Sequence, residues 1–71
     1  MAEAVVIYGK DSCPYTVAAR DDYAARGISV RYVNVKRDPS GLERMLGLTN
    51  GRRQVPVIVE GGRVTVGFGG T

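Results

Sequence analysis

Ala4-Val5-Val6-Ile7-Tyr8-Gly9-Lys10-Asp11-Ser12-Cys13-Pro14-Tyr15-Thr16 decides how this chain folds. Ala4 to Tyr8 is uncharged and rich in β-branched residues, the pattern of a strand buried on both faces and therefore central in its sheet. A short polar link follows, and then residues suited to a helix start. Ser12 is a candidate N-cap, and Pro14 suits the first helical position, where no N–H is needed. Cys13 thus falls at or just before the first helical turn, where unpaired N–H groups and the helix dipole favour an anion. For a cysteine that anion is the thiolate. Lys10, three residues upstream, adds positive charge, so both influences push the thiol below its free pKa of about 8.5. A lone cysteine is more often a small buried hydrophobe. Here its neighbours are helix-start residues, not members of an apolar periodic run, and position favours the nucleophile.

Outward from this stretch, Pro14 to Arg26 lacks glycine and is rich in alanine, Ala19 and Tyr23 share a helical face, and Gly27 supplies a stop. Ile28 to Val35 carries Ile28, Val30 and Tyr32 on one face, with Val33 and Val35 following, which is a strand signal. The first unit is βαβ, so these strands pair in parallel through a right-handed crossover. Lys36 to Ser40 is a polar link. Leu42, Met45 and Leu46 then recur at helical spacing until Gly47 and Asn50-Gly51 break the pattern, giving a short second helix. Val55 to Val59, a turn at Glu60-Gly61-Gly62-Arg63 and Val64 to Val66 read as a β-hairpin. Pro56 belongs at the first position of its strand, with a cis Val55-Pro56 bond.

Composition narrows the function. Seventy-one residues allow one domain, 1–71, with a small core. One cysteine and no histidine leave no internal disulfide and little for zinc, so no metal site is expected, and a reducing cytoplasm is the expected compartment. The five-residue apolar run near the N-terminus is far short of a membrane span of about 20 residues, so no membrane association is expected. The net charge of +3 is modest, and basic residues pair only at Lys36-Arg37 and Arg52-Arg53 without interleaved aromatics. That is a poor nucleic-acid footprint. Small anionic ligands remain open.

Lys10, Cys13-Pro14-Tyr15, the βαβ unit, Gln54-Val55-Pro56-Val57 and the Gly61-Gly62 turn, in this order and spacing, resemble the glutaredoxins over nearly the whole chain. The resemblance implies an α/β thioredoxin-like fold, βαβ-αββ, with a four-stranded mixed sheet but without the usual C-terminal helix. It implies Cys13 as catalytic nucleophile and a substrate- or glutathione-binding surface of Lys10, Tyr15, Thr16, Arg53, Gln54, Val55 and Pro56. Val55-Pro56 would be the cis-proline site, lying against the redox cysteine and offering its backbone to a peptide-like thiol partner. No cofactor is required, with glutathione as a co-substrate.

Departures from the family pattern carry information too. Thr16 stands where dithiol glutaredoxins have their second cysteine, so the chain works as a monothiol or with a sulfur from elsewhere. Val66 to Thr71 lacks the acidic pair that glutaredoxins use for the γ-glutamyl end of glutathione. Arg52-Arg53-Gln54-Val55-Pro56 and Gly67-Phe68 are instead similar to the small glutaredoxin-shaped electron donors of ribonucleotide reductase, which implies a thioredoxin-reductase-like electron source. The ending at Thr71, with Cys-Pro-Tyr-Thr, resembles the Uxx-star group of glutaredoxin-like selenoproteins. That likeness puts a selenocysteine or cysteine directly after Thr71, where it would replace the resolving cysteine lost at Thr16.

Two functions compete. In the first, the Cys13 thiolate exchanges with a disulfide or a glutathione mixed disulfide, making the chain a thiol-disulfide oxidoreductase. In the second, two chains each supply Cys13, with two glutathiones, to an iron-sulfur cluster, in the manner of monothiol glutaredoxins. Against the second, those proteins usually carry Cys-Gly-Phe-Ser where this chain has Cys-Pro-Tyr-Thr.

Overall fold

A computed structural model describes residues 5–69. The chain runs β1 (Val5–Gly9), α1 (Pro14–Ala25), β2 (Val30–Asn34), α2 (Pro39–Thr49), β3 (Val57–Glu60) and β4 (Arg63–Val66). The four strands form one mixed sheet in the order β2-β1-β3-β4. β1 is therefore internal, as its uncharged composition requires, and Val5 and Ile7 are fully enclosed. It pairs in parallel with β2, from Val5 opposite Val30 to Gly9 opposite Asn34, and antiparallel with β3, from Val5 opposite Glu60 to Tyr8 opposite Val57. Ala4, expected to open the first strand, lies outside the described residues.

Alternation along the strands builds two cores, one on each face of the sheet. Val5, Ile7 and Ile58 pack with Ala19 and Tyr23 of α1, joined by Ile28, Val30, Tyr32 and Phe68. On the other face Tyr8, Val33, Val35 and Val57 pack with Met45 of α2. The Tyr23 hydroxyl also donates to Glu60 Oε1 at 2.9 Å, tying α1 to the end of β3.

Several boundaries differ from the sequence reading, each for a local reason. α2 is longer than expected and passes through Gly47. Asp38 caps its start by accepting the Gly41 N–H at 3.1 Å, Pro39 occupies the first turn, and Gly41, Met45 and Thr49 form a continuous buried stripe at four-residue spacing. The helix ends one turn later at Asn50, which takes the left-handed conformation with φ 59°. β3 begins at Val57, two residues later than expected, because Pro56 has no amide hydrogen for a ladder bond. The Val55-Pro56 peptide is cis, as the sequence suggested. The hairpin turn is Gly61-Gly62 alone, with φ of 56° and 84°, since Glu60 and Arg63 already face each other as a pair. Two positive φ values in a two-residue turn match the twist of the flanking strands, and glycine adopts them without steric penalty.

Candidate functional site

Cys13, and not Ser12, is the N-cap of α1. The junction closes on it through a tight turn in which the Cys13 N–H donates to the Lys10 carbonyl at 3.2 Å. The Cys13 carbonyl accepts the first helical bond, from Val17 N–H, at 3.1 Å. With Pro14 in the first helical position, the next two N–H groups belong to Tyr15 and Thr16, the usual donors to an N-cap side chain, although the Cys13 side chain forms no capping hydrogen bond here. In most helices that side chain ends in oxygen. Here it ends in sulfur.

The turn also buries the residue more deeply than its junction position suggested. Cys13 is 8% exposed, although it belongs to neither hydrophobic cluster. Burial is the largest single influence on its acidity and pushes the thiol pKa up. The opposing influences win together: the Thr16 hydroxyl, the Thr16 and Tyr15 N–H groups and, weakest, the Lys10 charge hold Cys13 below the ordinary thiol value. Hydrogen bonds to the charged form therefore set the acidity more than the distant cation does.

Thr16 is fully buried, on the stripe it shares with Ala19 and Tyr23. Its hydroxyl is a buried side-chain polar atom without a geometrically formed hydrogen bond among the described residues. It sits against Gly9, where even a single methyl group would collide with its side chain. Tyr15, by contrast, is 43% exposed and flanks the junction on its open side. Lys10 is half-buried.

The second half of the site comes from the far end of the chain. Because Tyr8 pairs with Val57, the start of β3 and the β1–α1 junction share one end of the sheet. This brings Pro56, which is fully buried, and half-buried Val55 to the end that carries Cys13. Gly67 closes the same corner by donating its N–H to the Pro56 carbonyl at 2.7 Å. The tail thus leaves the sheet beside Pro56, as the antiparallel hairpin required. Gly70 and Thr71 lie outside the described residues. Arg53 and Gln54 are exposed on the loop leading into Val55, and the neighbouring Arg52 carbonyl accepts the Thr49 hydroxyl at 2.9 Å.

Four residues at this end were not singled out in the sequence for the site. Gly9 is one. The others form a cluster beside the junction: the Tyr32 hydroxyl donates to Asp11 Oδ1 at 2.8 Å, and the Arg20 guanidinium lies 4.0 Å from the centre of the Tyr32 ring. Burial, then the Asp11 hydrogen bond and charge, push the Tyr32 pKa up to about 12. The cluster tethers the loop that carries Cys13 to β2. Its sequence signal was Tyr32 on one face of its strand with Ile28 and Val30, the face that packs on α1. A groove of about 390 Å³ runs beside it between α1 and β2, lined by Val17, Arg20, Ala24 and Tyr32 among others, and Cys13 is not part of it. Among the described residues, no group of three or more cysteine or acidic side chains is placed to hold a metal ion, and no helix is long and apolar enough to cross a membrane.

The family model described as Glutaredoxin matches residues 5–65, from the first residue of β1 into β4. The chain belongs to the glutaredoxin family. Among solved structures, the glutaredoxin of Archaeoglobus fulgidus superposes with a TM-score of 0.83 at 19% identity, over 96% of this chain and 78% of that one. The glutaredoxin-like NrdH-redoxin of Escherichia coli, described as having a thioredoxin-like activity profile, matches with a TM-score of 0.78 at 29% identity, over 92% and 83%. Buckwheat glutaredoxin, solved as a glutathione complex, gives 0.76 at 22% identity over 93% of this chain, which spans 62% of that protein. No curated protein sequence matches. The thioredoxin-like fold with a four-stranded mixed sheet and two helices is thereby established for this glutaredoxin.

Proposed function

We propose that this glutaredoxin is a monothiol thiol-disulfide oxidoreductase with Cys13 as its nucleophile. The observation that carries the reading is the sulfur's place as helix N-cap, with the Tyr15 and Thr16 N–H groups favouring its ionised form. In the first step the Cys13 thiolate attacks one sulfur of a disulfide R–S–S–R′, forming Cys13–S–S–R and releasing R′–S⁻ with the electron pair of the broken bond. In the second step an external thiolate attacks the R sulfur, and Cys13 leaves as thiolate. Membership of the family and the likeness to NrdH-redoxin support exchange of this general kind.

The partner docks along Val55-Pro56, flanked by Tyr15, with Lys10, Arg53 and Gln54 available to an anionic or peptide-like group. Thr16 acts from beneath and not as a contact, since its side chain is fully enclosed. The resolving thiol is glutathione, a dithiol delivered by a thioredoxin-reductase-like donor or, in the Uxx-star reading, a selenol or thiol directly after Thr71. The tail's departure beside Pro56 supports the last of these geometrically.

Reduced protein mixed with a glutathionylated peptide tests the reading. The expected products are free peptide and protein heavier by one glutathione on Cys13, with nothing formed by Cys13→Ser. Exchange no faster than that of a free cysteine at equal thiolate fraction overturns it. So does anaerobically purified protein that is a brown, iron-containing dimer requiring glutathione, which would make the chain a cluster carrier. Regeneration with glutathione compared with NADPH and a thioredoxin reductase identifies the electron source.

A further inference from the structure

Two helices cover four strands, and each face of the sheet keeps an open side. On the face that carries α2, the helix packs chiefly against β1 and β4 and leaves the region over β2 less covered. A cavity of about 270 Å³ lies there, lined by Val6 and Tyr8 of β1, Arg31 and Val33 of β2 and Arg44 of α2. Two exposed arginines from different elements thus meet over buried or half-buried valine and tyrosine. Arg20 and Arg26 are engaged elsewhere, the first on the Tyr32 ring and the second with Asp22 and the Tyr23 ring, whereas Arg31 and Arg44 make no ion pair, hydrogen bond or ring contact among the described residues. Sequence spacing supplies no local partner either. Three and four residues from Arg44 stand Ser40, Gly41, Gly47 and Leu48, and the residue facing Arg31 across the ladder is Val6. Glu43 is adjacent to Arg44, and adjacent residues on a helix do not face each other. Tyr8 adds a donor: it is only 7% exposed, and its hydroxyl has no hydrogen bond among the described residues, while those of Tyr23 and Tyr32 are committed to Glu60 and Asp11.

Folding therefore brings two like charges to one small cavity, an arrangement that an anion of two charges relieves. Guanidinium groups recognise carboxylates and phosphates through paired N–H donors, and two of them match a dianion. Size narrows the choice, because the cavity falls below the roughly 300–1,000 Å³ of sites that enclose drug-sized ligands. The valines offer apolar surface that a bare inorganic ion cannot use and an ester group can. We propose that Arg31, Arg44 and Tyr8 form a binding site for a small phosphomonoester, its phosphate held between the two guanidinium groups and its organic group resting on Val6 and Val33. Such an ester carries a charge of about −1.5 to −2 at neutral pH, close to the two positive charges it meets. The Tyr8 hydroxyl donates to a phosphate oxygen. The cavity contains none of Cys13, Lys10, Val55 and Pro56, so the site stands independently of the exchange reading above. It binds, and no covalent bond is made or broken there.

The test is an NMR titration of the isotope-labelled full chain with inorganic phosphate and, separately, with phenyl phosphate, at constant ionic strength and about pH 7.5, above the second ionisation of a phosphate ester at about 6. The backbone amides of Val6, Tyr8, Arg31, Val33 and Arg44 and the Nε–H signals of the two arginines should move along saturating curves, with phenyl phosphate bound more tightly than inorganic phosphate. Arg31→Gln and Arg44→Gln should each weaken phenyl phosphate binding by about tenfold or more, the size of one hydrogen bond to a charged group, and Tyr8→Phe by a smaller factor. Melting temperatures separate binding from a role in folding. Without ligand neither glutamine variant should melt below wild type, because each removes one of two like charges, and phenyl phosphate should raise the melting temperature of wild type more than that of either variant. Shifts that never saturate, that persist unweakened in both glutamine variants or that centre on Lys10, Arg52 and Arg53 overturn the site. So does a glutamine variant that melts well below wild type without ligand, since its arginine then serves the fold. Inorganic phosphate bound as tightly as phenyl phosphate overturns the assignment of an ester.

Discussion

Removing the Lys10 charge should change the acidity of Cys13 only slightly. The sulfur's low pKa comes from groups within one helical turn, with Lys10 the weakest of them, and the Lys10 side chain is half-exposed. Charge pairs in that setting contribute about 0.2–1 kcal/mol, which at about 1.36 kcal/mol per pKa unit corresponds to roughly 0.15–0.7 of a unit. In Lys10→Gln the alkylation midpoint should therefore rise by about 0.7 of a unit at most. Ionic strength supplies an independent check, because the screening length falls from about 30 Å at 0.01 M to about 3 Å at 1 M. Wild-type protein should lose the Lys10 contribution between these limits and approach the Lys10→Gln midpoint, while the variant barely moves. Hydrogen bonds from Tyr15 and Thr16 are too short to be screened in this way. The assay is iodoacetamide alkylation from pH 4 to 10, followed by mass. A rise of more than one unit in Lys10→Gln, or an equally large movement of both proteins with salt, would refute the reasoning and make the cation the principal cause.

Cys13→Ser should unfold cooperatively, because the residue is in neither core cluster, and comparison with wild type should show a pH-dependent difference in melting temperature. Folding depresses the thiol pKa, so the thiolate's contribution is complete above the unfolded value of about 8.5 and disappears as pH falls through the folded value; a difference that grows on acidification would contradict this. Asp11→Asn should bring the Tyr32 titration down from about 12 towards the ordinary tyrosine value of about 10, as followed by the ring carbon shift in NMR. Here folding raises the pKa, so the stabilisation is complete below about 10 and fades as pH climbs towards 12, and in Asp11→Asn it should fade earlier. Met45→Ala should cost about 2–5 kcal/mol in urea unfolding, since the side chain is fully enclosed between α2 and the sheet. A loss below about 1 kcal/mol would mean that this core collapses around the gap.

The fold was legible wherever hydrophobic period and punctuation agreed. Val5 to Tyr8 has the composition of an internal strand, and it is internal; Gly61-Gly62 is a hairpin turn in sequence and in space. The misread boundaries were those decided by tertiary partners. Gly47 is a poor helix residue on propensity alone, but it lies on an exposed face between Met45 and Thr49, whose burial holds the helix through it. Val55 is β-branched and suits a strand, yet pairing waits for Val57 because Pro56 has no hydrogen to give.

The site was legible in its chemistry and not in its depth. Cysteine beside proline at a strand-to-helix junction identifies an activated thiol through local physics alone, and local physics supplies most of that activation. What the sequence concealed was the layer beneath. Thr16 reads as a surface residue in the first turn of a helix, and only the packing of α1 on β1 shows that it faces inward with Ala19 and Tyr23. Gly9 reads as the end of a strand, and only the proximity of Thr16 shows why it must be glycine. Both facts concern the distance between a helix and the strand preceding it, a quantity set by side-chain volume across the junction. A bulkier residue at either position would push α1 away from β1 and carry its N-terminal N–H groups with it. Acidity at Cys13 and close packing at Gly9 are thus coupled, and a substitution that loosens the second should weaken the first even where it leaves Cys13 and Lys10 untouched.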